Sequence, residues 1–466
     1  MTSVTEHMDN KGHKQSDNRD RIMVVGMGKT GLSCVRFLLG RGVDVLVCDS
    51  RDKPPVLKEI QQILPAQAIQ TGAFDSHLFS SCKQLVVSPG VAVQDEAIQE
   101  ALKQGVEVLG DIELFAHYVN APIIAITGSN GKSTVTALLG AMLKQAGLDV
   151  RLGGNIGTPA LDLLDGPVPD VYVLELSSFQ LETTSSLNAV ASVILNISPD
   201  HMDRYIDEAG YREAKQRIWQ GDGTVVVNRD EAGLYAGLTP SRQQVGFTLA
   251  EPAGQDYGLR NHAGQLWLAQ GEKCLLPVAA LRLVGRHNMA NALAALALAE
   301  VLVVALGLSV AATRPALLQA LSDFPGLPHR MEWLAEADGV NWYNDSKGTN
   351  VGATLAALQG LDSPVVLIAG GIGKGADFSS LAAVMATRGR AVILIGRDAA
   401  LIEAGLNGVV PCLHADDMDQ AVAMASSQAH PGDVVLLSPA CASFDMFDGY
   451  EHRGQVFTAA VRKVVS

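Results

Sequence analysis

The stretch that most constrains this chain is 125–134, which reads Ala-Ile-Thr-Gly-Ser-Asn-Gly-Lys-Ser-Thr. An apolar run, 123–126, leads into a glycine-rich turn, and an apolar-periodic segment follows the turn. In such a turn the backbone N–H groups, the helix N-terminus and Lys132 together bind phosphate oxygens, while Ser133 offers a hydroxyl to Mg²⁺. The stretch therefore predicts a strand, a phosphate-binding loop and a helix, in that order.

The loop departs from the standard pattern G-x-x-x-x-G-K-[ST]. That pattern places glycine at position 126, where this chain has Ile126, and Gly128 makes the turn two residues shorter. An ordinary strand–turn–helix junction is the alternative interpretation. Gly-Lys-Ser directly after an apolar strand is the context that the motif requires, so we interpret the stretch as a shortened phosphate-binding loop.

Composition limits the class of protein. At 466 residues the chain is long enough for about two to four domains, and 48% hydrophobic with 18% charged residues is typical of a globular protein. The net charge of −14, without a basic stripe, argues against nucleic acid as a partner. The six cysteines are scattered without a C-x-x-C pair, as expected in the reducing cytosol.

Two segments bear on targeting and membranes. Residues 1–20 are polar and lack the apolar core of a signal peptide, so they predict a disordered extension. The run 293–310 is apolar, but Glu300 interrupts it. Because a carboxylate at the centre of a bilayer is costly, this run predicts a buried helix and no membrane span.

The first predicted domain is 21–110. Its turn Gly26-Met-Gly-Lys-Thr-Gly31 follows an apolar strand, and Asp49 lies just past the next predicted strand, 43–47. This is typical of a dinucleotide-binding turn with an acid that holds a ribose diol. Alone it suggests an NAD-dependent oxidoreductase, but no acid–base pair for hydride transfer stands nearby, and a turn without a ligand is a further alternative. The motif predicts only that a phosphate-bearing ligand can approach the backbone.

The second predicted domain is 111–327 and begins with the phosphate-binding loop. Glu175 ends a buried strand, where a ligand for Mg²⁺ is expected, and His201 lies in the loop after the next strand, on the same edge. For His201 a structural role is equally compatible with the sequence. Lys215 falls on a predicted helix, 211–219, where a solvated lysine is the simplest interpretation. The β-rich segment 224–283 predicts a small sheet or insertion, and Asn288 and Asn291 share a face of the next helix, where they cap it or contact a base.

A joint rich in proline and glycine, 323–330, predicts a boundary near residue 327 and a third domain, 328–466. Predicted strands alternate there with helices, and polar loops follow the strands, where ligand sites cluster. The predicted fold class is therefore α/β in three domains: a Rossmann-like N-terminal domain, a central α/β domain of the P-loop ATPase type, and a C-terminal Rossmann-like α/β domain.

Several motifs, in this order along the chain, resemble those of the Mur ligases. They are Thr127-Gly-Ser-Asn-Gly-Lys-Ser133, Leu174-Glu-Leu-Ser-Ser-Phe-Gln180, Asp200-His-Met-Asp-Arg204, His287-Asn288 with Asn291, Pro328-His-Arg330 and Asn344-Asp-Ser-Lys347. The segment 438–445 and the glycine motif of the first domain resemble the branch that joins D-glutamate to UDP-N-acetylmuramoyl-L-alanine. The resemblance runs from about residue 21 to the end of the chain.

The resemblance implies an ATP-dependent ligase of cytoplasmic peptidoglycan synthesis. ATP phosphorylates the substrate carboxylate, the amine of D-glutamate attacks the acyl phosphate, and phosphate leaves from a tetrahedral intermediate. A monomer is expected. The alternatives are a sibling Mur or folylpolyglutamate-type ligase with another amino acid, a non-catalytic nucleotide-binding protein, and an NAD-dependent oxidoreductase.

The resemblance also implies roles for individual residues. The catalytic residues are Lys132, Glu175, His201 and Lys215. The ATP-binding residues are Gly128, Ser129, Asn130, Gly131, Lys132, Ser133, Thr134, Asn288, Asn291, Arg330 and Asp345. The UDP-substrate residues are Gly28, Lys29, Thr30, Asp49, Ser50, Arg51, Ser88, Gly90, Asn155 and His201. D-Glutamate would be held by Lys347, Thr349, Lys374, Ser443 and Phe444. Two Mg²⁺ ions would be held by Ser133, Glu175, His201 and Lys215, the last as a carbamate.

One turn departs from the family pattern. Relatives carry an acid in the turn that here reads Gly370-Gly-Ile372-Gly-Lys374. Two expectations follow. Either Lys374 is held more loosely, or Asp377 takes the place of the missing acid.

Overall fold

The computed structural model describes residues 21–202, 204–239, 241–283 and 285–465. The chain forms two compact units, Met1–Phe115 and Ala116–Ser466. The predicted disordered extension, 1–20, lies outside the described residues.

The first unit contains one sheet with helices between its strands. The strands are β1 (Ile22–Val25), β2 (Val45–Asp49), β3 (Ile69–Thr71), β4 (Gln84–Val87) and β5 (Glu107–Leu109); the helices are α1 (Lys29–Leu39), α2 (Leu57–Ile63), α3 (Ser76–Ser80), α4 (Glu96–Lys103) and α5 (Asp111–Tyr118), the last of which crosses into the second unit. The sheet is parallel in the order β3-β2-β1-β4-β5, so its strand order reverses beside β1, as in doubly wound folds.

Strand β2 begins and ends two residues later than the predicted strand 43–47. The strand begins at Val45 and includes Asp49, because the ladder with β3 continues as far as the pairing of Asp49 with Thr71. Val43 belongs instead to the turn after α1, where its N–H donates to the carbonyl of Leu38 at 3.2 Å. Asp49 is therefore the last residue of the strand, and not the first residue of the following loop.

The second unit contains two sheets. The nearer one in sequence is built from β6 (Ile123–Thr127), β7 (Val150–Gly154), β8 (Val171–Glu175), β9 (Ala191–Ile194), β10 (Thr224–Asn228), β11 (Gln244–Phe247), β12 (Tyr257–His262), β13 (Gln265–Gln270) and β14 (Lys273–Pro277), with helices α6 (Lys132–Gln145), α7 (Ser178–Glu182), α8 (Glu208–Gln216), α9 (Arg286–Ala305) and α10 (Val310–Asp323). We call it the central sheet. Its order is β14-β13-β12-β11-β10-β9-β6-β8-β7, and its pairings are parallel except those of β13 with β12 and with β14, which are antiparallel.

The expectation of a separate small sheet in 224–283 is wrong. The strands of this segment continue the central sheet, because β10 pairs in parallel with β9 and carries the ladder outward to β14. Phe247, Tyr257 and Leu268 of the segment lie in the same apolar core as α6 and α9. A shared core, rather than a new one, explains why the segment remains part of the sheet.

The other sheet, called here the C-terminal sheet, follows the predicted joint. Its strands are β15 (Glu332–Ala337), β16 (Val340–Asn344), β17 (Val365–Gly370), β18 (Gly389–Ile395), β19 (Cys412–His414) and β20 (Val434–Leu437), and its helices are α11 (Val351–Gln359), α12 (Ser380–Arg388), α13 (Ala399–Leu406), α14 (Met418–Gln428) and α15 (Tyr450–Val465). The order is β15-β16-β20-β17-β18-β19, and only the edge strand β15 is antiparallel. Apolar cores cover both faces, so this part is doubly wound, as predicted.

Helix α9 is buried through its middle, as predicted for the apolar run 293–310, but it ends at Ala305, and Val310 begins α10. It is the one helix among the described residues that is long and apolar enough to cross a membrane. The carboxylate of Glu300 accepts from Arg314 at 2.6 Å and 2.5 Å and from the Tyr257 hydroxyl at 2.6 Å. Arg314 also donates to Gln270 at 2.6 Å. A buried charge is stable where it is paired and hydrogen-bonded, which is how an acid is accommodated in this helix.

Replacing Glu300 with alanine is expected to lower the free energy of unfolding by roughly 3 kcal/mol, because it leaves the guanidinium of Arg314 unpaired in a buried site. Urea denaturation followed by circular dichroism measures the change. Lys463→Ala is the control, since it breaks an exposed pair with Asp419 and is expected to cost less than about 1 kcal/mol. Equal losses in the two variants would contradict the prediction.

Candidate active site

The glycine-rich loop joins β6 to α6, as the sequence predicts. Gly128 has φ +145° and Gly131, the N-cap of α6, has φ +86°, both of which favour glycine. A Cβ on Gly131 would lie 2.5 Å from Oδ1 of Asn291. Ile126 is fully buried within β6, where it pairs with Val193. Position 126 is therefore part of the sheet, which explains why the turn begins at Gly128.

Lys132 folds back over this loop. Its ammonium donates to the carbonyl oxygens of Gly128 at 2.7 Å and Ser129 at 2.9 Å. Burial lowers the pKa of Lys132, while the charges of Glu175 and Asp200 favour its protonated form. The ammonium thus lies where loop and helix N-terminus converge, a position suited to an anion.

Glu175 is the acid at the centre of the site. Only 1% of it is exposed; Oε1 accepts from Nδ2 of Asn155 at 2.8 Å, and Oε2 has no hydrogen-bond partner among the described residues. An unpaired buried carboxylate oxygen is costly unless a cation meets it. Oε2 is therefore available to a metal ion or a cationic group.

Four cationic side chains surround this acid. Lys132, Lys215, Arg330 and Lys347 each interact with the charge of Glu175. Burial lowers the pKa of every one of them, to about 8 for Lys347. Nη2 of Arg330 also donates to Oγ of Ser133 at 2.9 Å. So many buried cations around one acid form a site for a polyanion such as a triphosphate.

Lys215 is buried, so the interpretation of a solvated helix lysine is wrong. It is 1% exposed, and its Nζ donates to the carbonyl of Gly128 at 3.0 Å and to Oγ1 of Thr127 at 3.3 Å. Burial holds its pKa well below the ordinary value for lysine. Helix α8 ends at Gln216 and a 3₁₀ turn continues to Trp219. Tyr211, Ala214, Lys215 and Ile218 are all buried, and their spacing was the available sequence signal.

His201 and Asp200 lie in the loop after β9. His201 has a left-handed backbone, φ +57°, its ring packs edge-on against Phe179, and its Nε2 is 3.8 Å from Oδ2 of Asp200. Burial by itself would raise the pKa of Asp200, but neighbouring charges, Lys374 first, hold it below its ordinary value. Asp200 is thus an ionised acid beside the predicted metal-binding histidine.

A cavity of ≈ 290 Å³ opens next to the loop. Seven of the predicted ATP-binding residues line it: Asn130, Gly131, Thr134, Asn288, Asn291, Arg330 and Asp345. Lys347, predicted to bind D-glutamate, and its neighbour Gly348 line it as well. Nδ2 of Asn291 donates to Oδ1 of Asn288 at 3.1 Å, and Leu195 and Leu283 add apolar surface. Polar amides beside apolar walls suit a nucleotide base, with the cationic groups at the phosphate end.

Arg330, at the end of the joint between the sheets, and Asp345, directly after β16, both line the cavity. Arg330 lies between two left-handed residues, His329 (φ +61°) and Met331 (φ +46°). Burial raises the pKa of Asp345 to about 6, although the Ser438 hydroxyl donates to it at 2.7 Å. The joint and the end of β16 therefore place one cation and one acid of the predicted set in the same cavity.

The predicted D-glutamate residues fall in three loops of the C-terminal sheet. The ammonium of Lys347 lies 3.7 Å from the ring centroid of Tyr450, and Lys374 lies 3.3 Å from Asp200. Ser443 is buried, whereas Phe444 is 73% exposed. Thr349 follows Lys347 in the same turn, where its N–H donates to the Lys347 carbonyl at 2.8 Å. The two lysines therefore face the central sheet from different loops.

Asp377 does not replace the acid missing from the 370–374 turn. Its carboxylate accepts from the N–H and hydroxyl of Ser379, both at 2.9 Å, and it is exposed. Asp200 lies within ion-pair distance of Lys374 instead. The partner of Lys374 comes from the central sheet, 174 residues away in sequence.

In the first unit, the glycine turn is held by its own acid. Asp49 accepts from the N–H of Met27 at 2.7 Å and from the Arg51 guanidinium at 2.8 Å and 2.7 Å. The Ser88 hydroxyl donates to the Gly26 carbonyl at 3.1 Å. Because both oxygens of Asp49 are bound within the protein, the ribose-diol interpretation is not favoured. Arg51 remains half-exposed and offers a cation at this turn.

Sequence reasoning missed three residues that complete the site: Asp200, Tyr450 and Arg453. Arg453 is buried and donates to the carbonyls of Ser346 at 2.7 Å and Cys441 at 3.1 Å, which ties two ligand loops together. Tyr450 begins α15 under Lys347. No periodic or motif signal marked Tyr450 and Arg453, since their roles come from contacts between distant segments.

Known proteins match nearly the whole chain. Family models match at 20–110 (Mur ligase MurD-like, N-terminal domain), 126–299 (Mur ligase middle domain) and 329–441 (Mur ligase, glutamate ligase domain). The UDP-N-acetylmuramoylalanine--D-glutamate ligase of Nitrosococcus oceani is 55% identical over 446 residues, 95% of this chain and 97% of that protein. The protein of the same name from Pseudomonas syringae pv. tomato is 50% identical, covering 95% and 98%.

Solved structures share the fold. UDP-N-acetylmuramate-alanine ligase MurC from Thermotoga maritima has a TM-score of 0.57 at 20% identity, over 95% of this chain and 99% of that one. MurF ligase from Thermotoga maritima in complex with ADP has a TM-score of 0.58 at 15% identity, over 96% of each chain. The predicted three-domain α/β fold class is confirmed.

Proposed function

Because the chain belongs to the Mur ligases and, within them, to the UDP-N-acetylmuramoylalanine--D-glutamate ligases, we propose that it joins D-glutamate to UDP-N-acetylmuramoyl-L-alanine with ATP in cytoplasmic peptidoglycan synthesis. The observation that carries the proposal is the group of buried cations around Glu175, next to the glycine-rich loop. Phosphoryl transfer requires mainly positioning and charge neutralisation, which such a group supplies.

Different residues of the chain would bind the base, the phosphates and the amino acid. Asn288, Asn291 and the cavity wall would hold the nucleotide base, while Lys132 and Arg330 would neutralise its phosphates. The γ-phosphoryl group passes to the L-alanine carboxylate, the D-glutamate amine attacks the acyl carbon, and the phosphate leaves as the amide forms. Lys347 and Lys374 lie where they would bind carboxylates of D-glutamate.

Mg²⁺ fits this site through Glu175 and Ser133. The unpaired, buried Oε2 of Glu175 is a hard oxygen ligand, and Mg²⁺ commonly binds one or two carboxylates together with substrate phosphates. No cluster of three His, Cys, Asp or Glu side chains able to hold a metal occurs in the described part of the chain, so phosphate oxygens would complete the coordination. Bound there, the ion would neutralise charge on the transferred phosphoryl group.

Lys215 suits the proposed carbamate. An amine whose pKa is lowered by burial is neutral more often and attacks CO₂, losing a proton to give a carbamate anion. The modification would turn one cation of the group into a second oxygen ligand for Mg²⁺. His201, in the adjacent loop, is proposed for the second Mg²⁺.

The predicted UDP-substrate residues of the first unit are proposed to bind the UDP part of that substrate. Asn155 and His201, in the second unit, remain predictions from the family resemblance. The glycine turn at Gly26 and the half-exposed Arg51 suit a diphosphate. We likewise propose the division at 110/111 and 327/328, with a UDP-binding, an ATP-binding and an amino-acid-binding domain, and a monomer in solution. An NAD-dependent oxidoreductase would leave the loop at 127–134 without a role.

Phosphate release tests the proposed function. The protein is expected to release phosphate from ATP only when UDP-N-acetylmuramoyl-L-alanine and D-glutamate are both present, with one amide formed per phosphate. Activity with L-glutamate, L-alanine or a diamino acid instead would assign the chain to a sibling ligase. ATP binding without amide formation with any acceptor would favour a nucleotide-binding protein that is not an enzyme.

Lys347 gives the site a pH dependence. Burial lowers the pKa of Lys347 to about 8. The side chain therefore carries its positive charge below about pH 8 and loses that charge as the pH rises through this value. Glutarate, a dicarboxylate without an amine, is expected to compete with D-glutamate, and its Ki is expected to rise roughly tenfold from about pH 7 to about pH 9. In Lys347→Arg, whose guanidinium stays charged, the Ki is expected to stay flat. A flat Ki in the wild type would contradict the prediction.

A further inference from the structure

An ion pair joins the C-terminal sheet to the central sheet. Nζ of Lys374, in the loop after β17, is 3.3 Å from Oδ1 of Asp200, in the loop after β9. The two side chains are 24% and 13% exposed. Such a pair is less screened than one on the open surface, so it restrains the flexible lysine more firmly.

Asp200 is itself held in place. Its Oδ2 accepts from Nδ2 of Asn350 at 3.2 Å, and its Oδ1 accepts from the N–H of His201 at 3.0 Å. Asn350 exchanges side-chain hydrogen bonds with Asn130 of the phosphate-binding loop, at 3.2 Å and 3.4 Å, and caps α11. The carboxylate is therefore a fixed point between the nucleotide loop and the C-terminal sheet.

The acids nearer to Lys374 in sequence serve other groups. Asp398 accepts from the N–H of Gly373 at 2.7 Å and pairs with Arg397, which fixes the backbone of the turn. Asp377 is engaged by Ser379. Lys374 itself has φ +52°, a conformation that non-glycine residues adopt only where the surroundings impose it. Asp398 thus fixes the backbone of the turn, and Asp200 fixes the position of the Lys374 ammonium.

We propose that Asp200 is a positioning residue for the amino-acid substrate: it holds the Lys374 ammonium in the cleft between the two sheets, aimed at a carboxylate of the incoming amino acid. The inference rests on the proposed function. An ammonium has three N–H donors, so Lys374 can keep Asp200 and bind a substrate carboxylate as well. Because the pair spans both sheets, Lys374 reaches this position only when they lie together, which couples amino-acid binding to that arrangement.

The isosteric variant Asp200→Asn tests the proposal. It is expected to raise the KM for D-glutamate about tenfold and to leave the KM for ATP within about twofold, because the ammonium that pairs with Asp200 at 3.3 Å is that of Lys374, whereas Lys132 donates to the loop carbonyls. Asp200→Glu keeps the charge and is expected to lie closer to the wild type. Asp377→Asn, a nearby exposed acid, is the control and is expected to change neither KM. A fall in kcat with an unchanged KM for D-glutamate would overturn the proposal, since it would place Asp200 with His201 instead.

A double-mutant cycle shows whether Asp200 acts through Lys374. In a Lys374→Met background, Asp200→Asn is expected to cause no further rise in the KM for D-glutamate. Independent, multiplying effects would overturn the proposal. If Asp200→Asn does not fold, as judged by thermal melting, the cycle is run with Asp200→Ser, which also removes the charge, and is judged by the same rule. Wild-type protein without D-glutamate-dependent phosphate release would refute the proposed function, whereas normal wild-type activity with an unchanged KM in the variant refutes only the role of Asp200.

Discussion

Replacing Lys132 with alanine is expected to reduce amide formation by at least about a thousandfold, while the UDP substrate binds with nearly unchanged affinity. The ammonium lies on the carbonyls of Gly128 and Ser129, at the N-terminus of α6, where the phosphates would lie. Among the described residues, Lys132 is the one whose ammonium contacts both loop carbonyls. Phosphate release measures turnover, and isothermal titration without ATP measures binding of the UDP substrate.

Lys144→Ala is the matched control, because Lys144 is an exposed lysine in the last turn of the same helix. It is expected to leave both measurements unchanged. Loss of UDP-substrate binding in Lys132→Ala, with ATP binding intact, would show that the proposed roles of the first and second domains are reversed. Turnover within tenfold of the wild type would remove Lys132 from the phosphate site.

Replacing Lys215 with alanine is expected to leave almost no activity, of the order of a thousandfold loss, and a short carboxylic acid such as acetate is expected to restore part of it. Removing this buried side chain leaves space beside Thr127 and Gly128. A small carboxylate bound there would supply the oxygen ligand that the carbamate is proposed to provide.

An amine of similar size, such as ethylamine, separates the two chemical states of Lys215. Rescue by the acid and not by the amine would support the carbamate. Rescue by the amine alone would show that the residue works as an ammonium, and full activity of Lys215→Ala without additives would show that it is not needed. Thermal melting checks that the variant is folded before either additive is tried.

The elements of the site that lie within one local motif were predictable, and those made by distant contacts were not. Strand, loop and helix at 123–145 follow from apolar runs and glycines, so their types were correct from sequence. The burial of Lys215 was present in the helical spacing but was outweighed by the usual preference of lysine for solvent. The partner of Lys374 depends on how two sheets pack, which local periodicity does not encode.

The joint at 323–330 was likewise predictable only in its local features. Proline and glycine predicted where the chain passes from one sheet to the next, but not that Arg330 lies between two left-handed residues. Backbone conformations of that kind cost about 1–2 kcal/mol each for non-glycine residues and arise from the surrounding packing. The position of this guanidinium is therefore a property of the folded chain rather than of the Pro-His-Arg sequence.

The cavity beside the loop is lined from both sides of that joint, by Asn288 and Asn291 before it and by Asp345 and Lys347 after it. A nucleotide bound there would act as a non-covalent cross-link between the two sheets. At a nucleotide concentration a hundredfold above the dissociation constant, binding would stabilise the arrangement in which the two sheets lie together by about 2.7 kcal/mol. Proteases that cut the 323–330 segment would then report on nucleotide occupancy, with cleavage slowing as the cavity fills.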